Sequence, residues 1–453
     1  MKLPLPRNPI ALAGAFLATI GALFFLIFFL LELMGLHTNP YMGIVFFLIL
    51  PGVFVFGLLL IPFGLWRDRV RRRAGNGAEL VWPRIDFNNP RHRNTAFIVV
   101  LATFANVLIV SLAAYSGVHY MDSNEFCGQV CHTVMEPEFS AFQEGPHSRV
   151  GCVQCHIGPG APWFVQAKIS GLRQVLAVNL NTFSRPIPSP VHNLRPARET
   201  CEQCHWPEKF HGDKVKIIRE FGADEANTES TTTLQIHVGG GSDKLSIATG
   251  IHWHMNVANV IEYIATDEKR QVIPWVKITD RSGNSREYTA EGVTQADLDK
   301  GERRTMDCVD CHNRPGHSFD PSADKAVNRA LAMGLIPRTL PFVKREATAA
   351  LGESYPSSQV ADEKIAQRLR EFYRANYNQV YMGKRQDVER AVTGTQALYK
   401  RNIFPAMNVG WGTYPDNIGH MNFPGCFRCH DENHKTKTGK TIGQDCSLCH
   451  NIQ

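Results

Sequence analysis

Gly151-Cys152-Val-Gln-Cys155-His156 sets the pattern of this chain. The same C-x-x-C-H spacing returns at Cys201/Cys204/His205, Cys308/Cys311/His312, Cys426/Cys429/His430 and Cys446/Cys449/His450. A longer version, Cys127-Gly-Gln-Val-Cys131-His132, precedes them all. Six motifs use all twelve cysteines of the 453 residues, so none remains for a structural disulfide. In this spacing two thiols reach the two vinyl groups of one haem, and the adjacent His is carried under the iron as its proximal ligand. A zinc reading fails because tetrahedral sites need ligands grouped in fours. The chemistry implied is six covalently bound c-type haems.

Working outward from the motifs, the 120 residues before the first one are strongly apolar. Three uncharged runs, about Ile10–Leu31, Tyr41–Leu65 and Thr95–Val118, are each long enough to cross a bilayer. The first is too long for the apolar core of a cleaved leader and has no small-residue cleavage site after it. Lys2 and Arg7 precede the first run. Eight arginines against three acids follow the second, between Trp66 and Asn94. The positive-inside rule therefore predicts a multi-pass protein of the bacterial inner membrane, with a cytoplasmic N-terminus and everything after Val118 in the periplasm. That compartment is where c-type haem is attached. The excess basic charge lies on the cytoplasmic face and the outer part is close to neutral, so a nucleic-acid role has no support.

Six irons bound through a proximal His need further axial ligands, and twelve histidines lie outside the motifs. Four of these are tied to motifs by position: His147, His317, His420 and His434. His252 and His254, in Gly250-Ile-His-Trp-His, read as a strand with both rings on one face, one of them a ligand. His192 and His211 are weaker candidates, and His37 weaker still. The first motif lies just past the membrane exit, with Met135 three residues after His132. A haem there is expected within reach of a lipid quinol.

Between the third run and His317 the chain resembles the NapC/NirT family of membrane-anchored tetrahaem quinol dehydrogenases. The shared features are the anchor, Met135 beside the first motif, His147 before Cys152, and Cys308-Val-Asp-Cys311-His312-Asn-Arg-Pro-Gly-His317. The resemblance implies that His147 serves the haem of Cys308/Cys311 and His317 that of Cys152/Cys155. It implies a quinol site using Lys168, in Phe164-Val-Gln-Ala-Lys168-Ile-Ser-Gly171. The family's Asp after that Lys is replaced by Arg173 and Gln174, so Glu136 and Glu138 are the substitute proton acceptors. Three spans, a long insertion and two added motifs bring the pattern closest to the larger multihaem inner-membrane cytochromes of metal-respiring bacteria.

The expected organisation is a three-helix anchor (1–120, with a cytoplasmic loop at 66–94) and a tetrahaem core (121–212 and 301–320). A small β-rich insertion (213–300), a helical segment (321–402) and a dihaem extension (403–453) complete it. The fold class is thus a membrane-anchored multihaem cytochrome, its periplasmic domain haem-packed and mostly α or irregular. The expected function is oxidation of menaquinol or ubiquinol from the quinol pool, with electrons passed to a periplasmic cytochrome or reductase. A relay subunit of a larger complex and a terminal reductase with an open haem are the alternatives. The Tyr373, Tyr377 and Tyr381 stripe reads as packing.

Overall fold

The computed structural model describes residues 8–33, 45, 49–76, 86–130, 132–191, 194–206, 209–210, 212–241, 248–255, 259–280 and 282–453. The chain divides into two compact units, Met1–Cys131 and His132–Gln453.

The first unit holds α1 (Pro9–Leu33), α2 (Leu50–Asn76) and α3 (Pro90–Met121). Within them Pro9–Leu31, Leu50–Arg71 and Pro90–Met121 are long and apolar enough to cross a membrane. The start of the second expected span, before Ile49, falls almost wholly outside the described residues, as does His37. Asn89 caps α3 by accepting from the Arg91 amide, and Pro90 opens it. α1 and α2 approach closely because small residues line the seam. A Cβ on Gly57 would stand 2.5 Å from the Ala18 amide nitrogen, and one on Gly14 would stand 2.7 Å from the Gly57 carbonyl oxygen. In lipid, close backbone approach of this kind replaces the hydrophobic drive that water supplies elsewhere. Asn8 ties the ends: its Oδ1 caps α1, and its Nδ2 donates to the Gly64 carbonyl at 2.6 Å.

The second unit opens with four helices, α4 (His132–Gln143), α5 (Cys152–His156), α6 (Ala161–Asn179) and α7 (Ala197–Cys201). The hairpin β1 (Asp213–Phe221) and β2 (Glu229–His237) follows, then a short pair β3 (Gly240–Gly241) and β4 (Ala248–Thr249). A five-stranded sheet runs in the order β8 (Glu302–Thr305), β5 (Val260–Ala265), β6 (Trp275–Thr279), β7 (Ser285–Ala290), β9 (His434–Lys435). β10 (His450–Ile452) joins β2, with His450 opposite Ile236. The stretches taken from sequence as insertion and C-terminal extension therefore share two sheets. Two short helices, α8 (Gln295–Leu298) and α9 (Cys308–Cys311), flank β8.

Residues 323–402 carry the main apolar core, in α10 (Ala323–Ala332), α11 (Val343–Gly352), α12 (Ser358–Asn376), α13 (Asn378–Gly383) and α14 (Arg385–Asn402). Ala361, Ile365, Leu369 and Tyr373 repeat at helical spacing on α12 and are buried. The tyrosine stripe is packing. Tyr373 donates to the Pro341 carbonyl, Tyr377 donates to Glu225, and the Tyr381 hydroxyl accepts from Arg374. Buried Asn227 clips the β1–β2 turn to this core through the Leu340 carbonyl and the Lys344 amide.

The strand expected at residues 250–254 is a 3-10 turn, Ile251–Met255. Gly250 has φ +72°, and a Cβ there would run into the His237 carbonyl. The chain therefore reverses at Gly250 and coils. His252 and His254 point to different neighbours instead of sharing one face.

The α1–α2 seam makes a direct prediction. Gly57→Leu forces the helices apart and should cost about 1–3 kcal/mol of stability, the usual range for overpacking, in detergent unfolding of the full chain. An unchanged unfolding midpoint would contradict the glycine-mediated seam.

Candidate functional site

Five motif histidines each face a second imidazole. The ring centroids are 6.1 Å apart for His156 and His317, 6.1 Å for His205 and His147, and 6.3 Å for His312 and His252. They are 5.8 Å apart for His430 and His254, and 6.1 Å for His450 and His420. A metal–imidazole bond of about 2.0 Å, plus roughly 1.1 Å from nitrogen to ring centre, places two trans rings about 6.2 Å apart. Bare stacking brings rings closer, as with His420 and Phe427 at 4.1 Å. Each pair thus has room for one iron between its rings.

The second nitrogens show how the rings are aimed. Nδ1 of His147 lies 2.9 Å from the Pro315 carbonyl, and Nδ1 of His317 lies 2.9 Å from that of Glu138. Nδ1 of His252 meets Val238 O at 3.0 Å, Nδ1 of His254 meets Ile251 O at 2.9 Å, and Nδ1 of His430 meets Gly443 O at 2.8 Å. A carbonyl only accepts, so each Nδ1 carries the proton and each Nε2 is left as a lone-pair donor. This is the arrangement by which an outer partner orients a metal-binding imidazole. Ligation requires a neutral ring, and three of the rings are held below the usual imidazole range. Burial, then the facing His317, holds His156 below the usual imidazole range. Burial lowers His254 as well, helped by His430, and burial and then His252 lower His312.

The motifs follow one another in space. The Cys155 thiol is pushed up by burial and then by neighbouring Cys201. Cys308 hydrogen-bonds Cys201, holding Cys201 below the usual thiol range and pushing Cys308 above it. Burial pushes Cys311 up to about 11, with Cys426 adding to the rise, and Cys429 up to about 12, with Cys311 and Cys426 adding. Burial raises Cys449 too, and Cys426 adds to it. Motifs two, three, four, five and six therefore form a row in chain order. Gly425, at φ +50° and pressed on the Gly419 carbonyl, makes the turn that delivers Cys426.

The two thiols of a motif are presented differently. Cys152 and Cys155 both lie on α5. In the third motif α7 ends at Cys201, so Cys204 is not on the helix with its partner but in the turn beyond it. The Cys201 carbonyl accepts from the Cys204 amide at 3.1 Å and from the His205 amide at 2.8 Å, which closes that turn. Cys201 is half-buried, whereas Cys204 is exposed. In each of the five motifs from Cys152 onward one thiol is half-buried and the other exposed. Cys204 still stands near Cys155, whose rise it adds to after burial, Cys201 and Cys152. Cys446 is likewise exposed, and Cys449 half-buried.

Several expected residues stand elsewhere. His434 is not aimed at an iron: its Nε2 meets the Ile273 carbonyl at 2.6 Å and its Nδ1 meets Asp431 at 2.8 Å. Pairing of His434 with Ala290 in β9–β7 turns the ring into the sheet. His147 faces His205 rather than His312, whose facing ring is His252, and His252 and His254 are both in pairs. Glu138 is buried, and both its carboxylate oxygens are held by Arg314 Nη2 at 2.8 and 3.1 Å. It braces His317 and is not an exposed proton acceptor. Glu136 is exposed on α4, beside half-buried Met135. Lys168 lies on α6 with its ammonium 4.8 Å from the Phe164 ring centre. Cys127 lies in the π-helical turn Phe126–Val130 that follows α3. Cys131, His192 and His211 lie outside the described residues.

Sequence reasoning missed Arg314. It sits inside the fourth motif's tail, its guanidinium 4.3 Å from the Tyr414 ring centre, and donates to the His317 carbonyl as well as to Glu138. Among the described residues, no group of three or more His, Cys, Asp or Glu is arranged for a bare metal ion.

Residues 89–187 match the NapC/NirT cytochrome c family, N-terminal region. The whole chain aligns with the cytochrome c-type protein ImcH of Geobacter sulfurreducens, 43% identical over 448 residues, covering 98% of this chain and 88% of that one. The chain belongs to the NapC/NirT cytochrome c family. No solved structure matches it. This NapC/NirT cytochrome is a membrane multihaem protein of electron transfer, with covalently bound haem and a place in the inner membrane.

The Glu138–Arg314 brace of this NapC/NirT cytochrome can be tested in isolation. Arg314→Ala leaves a buried carboxylate unpaired and should cost about 3–5 kcal/mol in chemical unfolding of the loaded protein. Adding Glu138→Gln should recover much of that loss. Equal stability of Arg314→Ala and wild type would refute the brace.

Proposed function

We propose that this cytochrome binds six haems in a row, accepts electrons from a membrane quinol, and delivers them to a periplasmic cytochrome or reductase. Five imidazole pairs with room for one iron each, set along consecutive motifs, carry the reading. The haems, when bound, supply reversible one-electron chemistry. The chain supplies the rest. Each pair of thiols would hold one haem. The rings that would hold the irons are His156 with His317, His205 with His147, His312 with His252, His430 with His254, and His450 with His420. His132 and Met135 serve the first motif.

The donor is menaquinol or ubiquinol, which gives up two electrons and two protons. Lys168 donates a hydrogen bond to a quinol oxygen. Glu136, the exposed carboxylate of the two candidates, takes a proton and releases it to the periplasm. The terminal-reductase alternative is disfavoured because five of the six motif histidines already face a second ligand. In this reading the 213–300 stretch has a defined purpose, since His252 and His254 would supply the second ligands of the haems at motifs four and five.

Pyridine haemochrome analysis should count six haems per chain. His→Ala at position 147, 317, 252, 254 or 420 should each convert one low-spin haem into a cyanide-binding one, whereas His434→Ala should convert none. The quinol step is tested by the Lys168→Ala/Met135→Ala double variant of the purified full chain, which should lose most quinol oxidation while keeping its haems. Normal rates would sink that site. Wild-type activity that appears only with co-purified subunits would instead favour the relay reading.

A further inference from the structure

We propose that α6 is an interfacial helix whose outer face lies on the phospholipid bilayer, giving the haem-bearing unit a membrane contact besides the three spans. Val165, Ile169, Leu172, Leu176 and Leu180 recur every three or four residues along one side of α6 and its C-cap, and each is 55–69% exposed. No residue of α6 is fully buried. The helix is held from the opposite side: Val178 packs against the cluster of Val134, Phe404 and Met407. Ile169 and Val178 are nine residues apart, about two and a half turns at 3.6 residues per turn, and so face opposite ways.

An apolar stripe this continuous on one side of a helix is ordinarily covered. Charge identifies the cover. α6 has no acidic residue, while Lys168 and Arg173 flank the stripe on either side. An apolar face edged by basic side chains, whose stems can lie along the acyl boundary while their charges reach anionic headgroups, is the pattern of a helix lying in a bilayer surface. A bilayer is available by construction, because the same chain carries three spanning helices. A protein partner covering this face would more naturally bring carboxylates to an acid-free helix, and this is one outcome of the test. The inference stands apart from the quinol reading, since it rests on the stripe and needs no particular function for Lys168.

The test uses the haem-loaded full chain in nanodiscs of phosphatidylethanolamine and phosphatidylglycerol doped with a diazirine-bearing phospholipid. After photoactivation, adducts are mapped by mass spectrometry. Lipid adducts are expected on the 161–180 segment as well as on the three spans. In Ile169→Asn/Leu172→Asn, adducts on 161–180 should fall to background, while those on the spans and the haem absorbance stay unchanged. The proposal is overturned if wild-type adducts are confined to the spans, if the double variant labels as the wild type does, or if 161–180 instead cross-links to a second copy or another protein. Should the double variant lose its haem absorbance, the wild-type map alone decides.

Discussion

Two uncharged imidazoles, held about one iron's width apart, are the constraint around which the haem-bearing unit is arranged. Each ring has to be neutral, has to expose Nε2, and has to keep its position. The chain meets these demands with backbone carbonyls. The carbonyls of Pro315, Glu138, Val238, Ile251 and Gly443 each accept a hydrogen bond from an Nδ1–H. A carbonyl is fixed by the fold and cannot rotate away as a side chain can, so the tautomer and the ring plane are set together. The lowered proton affinities of His156, His254 and His312 follow from burial beside a second imidazole.

The same constraint explains the topology. The facing rings are drawn from places far from the motifs they meet: before motif two, in the 3-10 turn at 251–255, before motif five and after motif four. Elements that look separable in sequence are therefore stitched together. β10 carries His450 into the β1–β2 sheet, and β9 closes the five-stranded sheet. The helices from α10 to α14 stand apart from this scheme, with a conventional apolar core and no facing ring. Their part is to back the β1–β2 hairpin through Asn227 and Phe221.

What was legible in the sequence was whatever covalent spacing or length dictates. Haem attachment is a matter of residues two or three apart, and a membrane span is a matter of about twenty apolar ones. Strands in 213–290 and helices in 321–402 follow from short-range periodicity. The facing rings do not, because they meet only after folding. Of the histidines near a motif, the ring of His317 faces His156 and that of His420 faces His450. Proximity to a motif misled at His434, which lies four residues after His430 yet is turned into the sheet by pairing with Ala290. It misled again at Glu138, whose carboxylate answers Arg314, far along the chain. The two histidines of Gly250-Ile-His-Trp-His were separated by a turn that only the steric demand at Gly250 reveals.

A cryo-EM map of the haem-loaded chain at a resolution that shows axial ligands is the most direct measurement. The account predicts one iron between the rings of each pair, 156/317, 205/147, 312/252, 430/254 and 450/420, with His434 inside its sheet and bound to none. An iron at motifs two to six with an open face, or a ring from a different pair in its sixth position, would contradict it.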